Sequence, residues 1–161
     1  MTTIEVFTDG SCIKNGNILG GYGIYFPNNE LKSISRKFTH EPITNQRAEL
    51  YAIYVALILI KKNLDFDKII IYTDSEYSIK CFTQWIKKWK RNGWKSSSGS
   101  KVKNQDIIQP VSNILDKLSG QVEFKHVRSH TGKKDRLSIA NSIADKLATT
   151  GAMKSKNITK E

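Results

Sequence analysis

A chain of 161 residues, 39% of them hydrophobic, is long enough to bury a core as one domain and too apolar to be disordered throughout. Its formal charge of +11 and pI near 9.7 favour a polyanionic partner, with nucleic acid ahead of membrane, although a generally basic soluble protein would share both values. The longest apolar run, Leu50 to Ile60, is about half of what a membrane span requires, so no span is expected.

Cys12 and Cys81 are far apart and match no metal or redox spacing. They read as free thiols in a reducing compartment. With Met1-Thr-Thr running straight into a strand and no signal peptide, the expected setting is cytoplasmic or nuclear.

The first strand is Thr3 to Asp9, where Ile4, Val6 and Thr8 alternate with Glu5 and Phe7. Asp9 is expected at its mouth, followed at once by Gly10. As a turn cap it needs no function; as one of several converging acids it would carry chemistry. A loop with Asn-Gly leads to a second strand, Gly20 to Phe26, and a third, Leu31 to Phe38. Short connections predict an antiparallel meander.

Thr44 to Lys62 reads as a helix capped by Thr44 or Asn45. It is apolar nearly all round and should be the central, most buried helix. Glu49 falls in its second turn, where a carboxylate also suits the helix dipole. The fourth strand, Asp67 to Asp74, has a continuous isoleucine run that predicts burial on both faces. It ends on Thr-Asp-Ser, echoing Thr8-Asp9-Gly-Ser11, so neighbouring strands would set two carboxylates side by side. Asp74 or Ser75 can equally cap the short helix that follows.

Residues 83 to 103 are rich in Lys and Arg, contain no acid, and hold Trp85, Trp89 and Trp94. Trp85 and Trp89 share a helix face. Such a ridge suits a phosphate backbone, whereas a helix packed through its tryptophans would leave only a solvated charge face. Asn104 to Leu118 is an amphipathic scaffold helix, Gln121 to Arg128 the fifth strand, and Leu137 to Thr149 a closing helix with Ile139, Ile143, Ala144 and Leu147 inward. The domain spans residues 1–150, and a polar tail runs from 151 to 161. The element order predicts an α/β fold, a mixed five-stranded sheet with helices on its faces.

Asp9, Glu49, Asp74 and Asp145 thus stand at strand ends and on helices beside a basic ridge. Clustered carboxylates repel one another, which favours a hard divalent cation, and the set points to metal-assisted phosphodiester hydrolysis.

The chain resembles type 1 ribonuclease H over residues 3 to 150. The matching pieces are Phe7-Thr-Asp9-Gly-Ser11, Gly20-Gly-Tyr-Gly23, Thr44-Asn-Gln-Arg-Ala-Glu49-Leu, Tyr72-Thr-Asp74-Ser, Gln84-Trp to Trp94-Lys95, His126-Val-Arg-Ser-His130 and Ala140-Asn-Ser-Ile-Ala-Asp145. The resemblance implies a ribonuclease H-like fold, with three antiparallel strands then two parallel ones. It implies endonucleolytic cleavage of the RNA strand of an RNA–DNA hybrid by a monomer, leaving 5′-phosphate and 3′-hydroxyl ends. Asp9, Glu49 and Asp74 would hold one Mg²⁺ and Asp9 with Asp145 a second, with Mn²⁺ as a substitute. His130 would assist proton transfer or product release. Asn15, Asn45 and Gln46 would read 2′-hydroxyls and base edges. Trp85, Trp89, Lys87 and Lys88 would grip the DNA strand, and Thr44 with Asn104 a DNA phosphate.

Three departures stand out. Pro42 replaces an arginine of the phosphate pocket. The stretch from His130 to Asp145 is longer than in many relatives and adds Lys133, Lys134, Asp135 and Arg136. Ser142 replaces an acid of the last motif. Two other readings remain: a catalytically silent hybrid-binding module, and a DNA-processing relative such as an integrase or junction resolvase.

Overall fold

The computed structural model describes residues 1–129 and 131–154. Five strands, β1 (Thr3–Asn15), β2 (Asn17–Tyr25), β3 (Ile34–Phe38), β4 (Lys68–Thr73) and β5 (Val122–His126), form one sheet in the order β3-β2-β1-β4-β5. β1–β2 and β2–β3 run antiparallel; β1–β4 and β4–β5 run parallel. This is the mixed sheet expected from the sequence. The helices are α1 (Asn45–Asn63), α2 (Glu76–Lys80), α3 (Ile86–Arg91), α4 (Gln105–Leu118) and α5 (Arg136–Met153). A π-helical turn, Cys81–Trp85, joins α2 to α3.

The sheet is apolar on both faces at its centre. Ile4, Val6, Ile69 and Ile71 face a core shared with α1 and α4, whereas Phe7, Ile70 and Tyr72 face Ala140 and Ala144 of α5. The two-residue strand period makes this split, and the isoleucine run of β4 feeds both sides. Phe7 and Tyr72 stack at 4.4 Å. Thr44 caps α1 by accepting from the Arg47 N–H at 3.1 Å. Leu50, Ile53, Leu57 and Ile60 then bury a full side of α1, at roughly 1.5–3 kcal/mol for each such side chain.

α5 departs from expectation. Ile139 is 46% exposed, and Ile143 and Leu147 are only half-buried; the inward face is Ala140, Ala144, Ala148 and Ala152. The reason is distance. β2 presents Gly21 and Gly23 to α5, and a Cβ on Gly23 would lie 2.7 Å from the Ala148 nitrogen. Only small side chains fit between a helix and a sheet that close. α5 also runs past its expected end at Thr149, to Met153. Gly151 is buried against Arg36 of β3 and Ala152 against Gly21 of β2, and Lys37 Nζ of β3 donates to the Ala152 and Lys154 carbonyls at 2.8 and 2.7 Å. The third strand is shorter than expected, beginning at Ile34 rather than Leu31.

Candidate active site

β1 and β4 lie parallel with Phe7 level with Tyr72, so two residues further on Asp9 and Asp74 emerge at the same height. β4 ends at Thr73, but β1 continues to Asn15, paired with β2 alone and with Asp9 opposite Gly23. The expectation that β1 ends at Asp9 is therefore corrected. Asp9 sits inside a long strand, at the point where its parallel partner falls away and opens one flank.

α1 enters that flank. A Cβ on Gly10 would collide with the backbone of Ala48 and Glu49, so glycine is what allows helix and strand to touch there. The contact sets Glu49 against Asp9, and carboxylate oxygens of Asp9, Glu49 and Asp74 all lie within 4.8 Å of one another. Asp145 arrives from the other face of the sheet. Ala144 packs on Gly23, the β2 partner of Asp9, and the next residue, Asp145, reaches hydrogen-bonding range of the Asp9 carboxyl.

Asp9 is 2% exposed. Burial first, and the charge of Asp74 next, push its carboxyl from the ordinary 3.8 up to about 9. Burial raises Glu49 as well, with the charges of Asp9 and Asp74 adding to the effect. Glu49 Oε1 is buried with no hydrogen-bond partner among the described residues. A buried oxygen without a donor beside two mutually repelling carboxylates is a donor set that suits a hard divalent cation.

Asn141 was singled out in the sequence only as part of a departure, yet it is 3% exposed and its Nδ2 donates to Asp74 Oδ2 at 3.4 Å. It lies one helical turn before Asp145 on the same face, a spacing that would have revealed it. Arg47 was also missed. Its guanidinium grips Asp106 at 2.7 and 2.8 Å, the His40 and Glu41 carbonyls, and Asn104 Oδ1 at 3.3 Å. Asn104, in the left-handed region at φ 63°, also donates to the Tyr77 hydroxyl at 3.0 Å. Its amide is thus held at both ends.

Thr44 and Asn45 line a groove of about 830 Å³ together with Lys14, Asn17 and Pro42. Gln46 is half-buried beside it, and Asn15 closes β1. Lys87 and Lys88 are exposed, and Trp85 is 37% exposed. Trp89 and Trp94 instead pack on the core, with the three indoles in a ladder of 5.9 and 6.4 Å centroid spacings. The tryptophans therefore do structural work as well as flanking a basic face. Lys90 is tied to Asp116 at 2.6 Å. His130 lies outside the described residues. Cys12 and Cys81 are both free thiols. No helix among the described residues is long and apolar enough to cross a membrane.

The sheet order, its strand directions and the carboxylates gathered at its centre define an α/β protein of ribonuclease H-like fold. A family model described as RNase H matches residues 1–153. A ribonuclease H of Orientia tsutsugamushi is 38% identical over 159 residues, covering 98% of this chain and 86% of that protein. A probable ribonuclease H of Acanthamoeba polyphaga mimivirus is 42% identical over 135 residues, covering 83% of this chain and 58% of that protein. Among solved structures, the foamy viral protease–reverse transcriptase in complex with RNA/DNA hybrid superposes with a TM-score of 0.77 at 22% identity, covering 94% of this chain and 20% of that one. The chain belongs to the ribonuclease H family.

Proposed function

We propose that this chain is an endonuclease that hydrolyses the RNA strand of RNA–DNA hybrids, with two divalent ions, Mg²⁺ or Mn²⁺, at the acid cluster. Family membership supports the substrate. The observation that carries the chemistry is the convergence of Asp9, Glu49 and Asp74 within 4.8 Å, with Asp145 against Asp9. Asp9, Glu49 and Asp74 would hold one ion, and Asp9 with Asp145 the other. Ions bound there supply Lewis acidity at the phosphate being cut and lower the pKa of the attacking water.

The remaining work falls to the chain. The cluster is buried, and in its ion-free state burial and mutual repulsion raise the carboxyls of Asp9 and Glu49. Asn141 orients the Asp74 carboxylate through its Nδ2. Asn15, Asn45 and Gln46 would face the minor groove, where the 2′-hydroxyl marks RNA. Thr44 and Asn104 would hold a DNA phosphate, and Lys87, Lys88, Trp85 and Trp89 the DNA strand. His130 would assist proton transfer or product release.

The test is a labelled RNA–DNA hybrid incubated with Mg²⁺, with and without chelator, beside an all-DNA duplex. Cleavage of the RNA strand alone, stopped by chelator, is expected. Asp74→Asn is expected to abolish cleavage while leaving hybrid affinity within a few-fold. An uncut hybrid would favour a silent binding module, and cleavage of the DNA duplex a DNA-processing enzyme.

A further inference from the structure

A second polar cavity lies one side chain away from the acid cluster. It encloses about 210 Å³ between α5 and the loop that follows β5, lined by Arg128, Thr131, Lys133, Ser138, Ser142 and Asp145, among others. Asn141 forms part of its wall and reaches through to Asp74. The loop that closes it is built rather than open. Thr131 Oγ1 accepts from the Lys133 N–H at 3.1 Å and contacts Ser138 Oγ at 3.4 Å. Asp135 caps α5 by accepting from the Ser138 N–H at 3.3 Å. Arg136 anchors the end of the loop to β1, its guanidinium forking onto both carboxylate oxygens of Glu5 at 3.1 and 3.2 Å. Tyr72 steadies Glu5 with a 2.9 Å hydrogen bond.

The lining carries more positive than negative charge. Arg128 and Lys133 are exposed and have no ion-pair partner among the described residues; Lys133 acts on Asp135 only at a distance. Asp145 is the acid of the lining and is turned to Asp9, where it belongs to the proposed ion site. Two free cations, with hydroxyls between them, make a donor set for a phosphate oxygen. Lys133 lies in the loop between β5 and α5, and the proposed function assigns it no task.

We propose that this cavity holds the phosphate of the RNA strand adjacent to the one that is cut, with Arg128 and Lys133 supplying the charge and the Ser138 hydroxyl a further donor. The proposal rests on the hybrid-cleaving reading above. It makes the loop between β5 and α5 a substrate clamp on the RNA strand, opposite the basic face that would serve the DNA strand.

The test is a cycle between enzyme and substrate. Short hybrids carry a single neutral methylphosphonate at each RNA phosphate flanking the cut, and kcat/KM is measured for the wild type and for Arg128→Gln/Lys133→Gln. In the wild type, one flanking position is expected to cost about five- to tenfold, the size of a lost charged contact. In the double variant the same methylphosphonate is expected to cost less than twofold, and the log–log salt slope to fall by about one to two. Arg128→Lys/Lys133→Arg is expected to restore the sensitivity. An undiminished cost in the double variant, or no sensitive flanking position in the wild type, overturns the clamp. If the wild type leaves the unmodified hybrid intact, the ribonuclease reading falls; the same cycle, read as hybrid affinity, still judges the cavity.

Discussion

Replacing Asp9 with asparagine should make the ion-free protein more stable, not less. Asp9 is nearly inaccessible, and its carboxyl titrates at about 9 instead of 3.8, because burial and then the charge of Asp74 oppose ionisation. A folded-state value raised above the unfolded one means that stability is fully present below about pH 3.8 and is lost as pH rises toward 9. At pH 7 the cost reaches at most about 4 kcal/mol, from about 1.36 kcal/mol for each of the roughly three pH units above the unfolded value. Water entering the cluster relieves part of this, and asparagine keeps the shape while removing the charge. Thermal unfolding in chelator is expected to show Asp9→Asn about 4–8 °C above the wild type at pH 8, equivalent to about 2 kcal/mol for a domain of this size. The two proteins should coincide near pH 4, where the wild-type carboxyl is already protonated. Added Mg²⁺ should raise the wild-type Tm in proportion to site occupancy and leave Asp9→Asn unmoved. A variant less stable than wild type at pH 8, or equally stabilised at both pH values, would refute the reasoning.

Two further substitutions probe separate parts of the structure. Gly23→Ala forces a methyl to within about 2.7 Å of the Ala148 nitrogen and Leu147 Cβ, an overpacking cost of about 1–3 kcal/mol. It should also lower kcat by more than the unfolded fraction explains, since α5 carries Asp145; a normal kcat at full folding, followed by circular dichroism, would separate the helix position from the site. Lys87→Gln/Lys88→Gln should weaken hybrid binding and reduce the log–log salt slope by about two, as read by fluorescence anisotropy across a salt series. An unchanged slope would remove that face from the interface.

Much of this was legible in the sequence because it is written in local patterns. The two Thr-Asp pairs, Thr8-Asp9 and Thr73-Asp74, mark equivalent heights on neighbouring strands, and the isoleucine run of β4 announces a strand buried on both faces. Thr44 and Asn45 are both possible caps by sequence, and Thr44 is the one that caps. The face of α5 was misread because the usual weighting favours large side chains, and Ile139 outranks Ala140 until one knows how near the sheet lies. The end of β1 was misplaced for a related reason: Asp9-Gly10 has the composition of a turn, and the glycine serves helix contact instead. Arg47 and Asn141 escaped because their partners, Asp106 and Asp74, are far away in sequence.

Close packing of helix on sheet is also what holds the site. The two acids carried by helices reach the cluster through contacts that only small residues permit: Glu49 through Gly10, and Asp145 through Gly23 and Ala144. Close approach removes water from the carboxyls, which raises Asp9 and Glu49, and the same approach fixes their spacing within 4.8 Å. Looser packing would relieve the repulsion but would also dissolve the binding geometry. The fold therefore tolerates a buried, mutually repelling set of acids because the helices that deliver them are anchored elsewhere. α1 is held by its large apolar face, and α5 by its alanine face, the Lys37 contacts at its end and the Arg136–Glu5 pair at its start. Strain at the centre and rigid packing at the periphery are two sides of one arrangement, and a divalent cation is the natural way to discharge the first without disturbing the second.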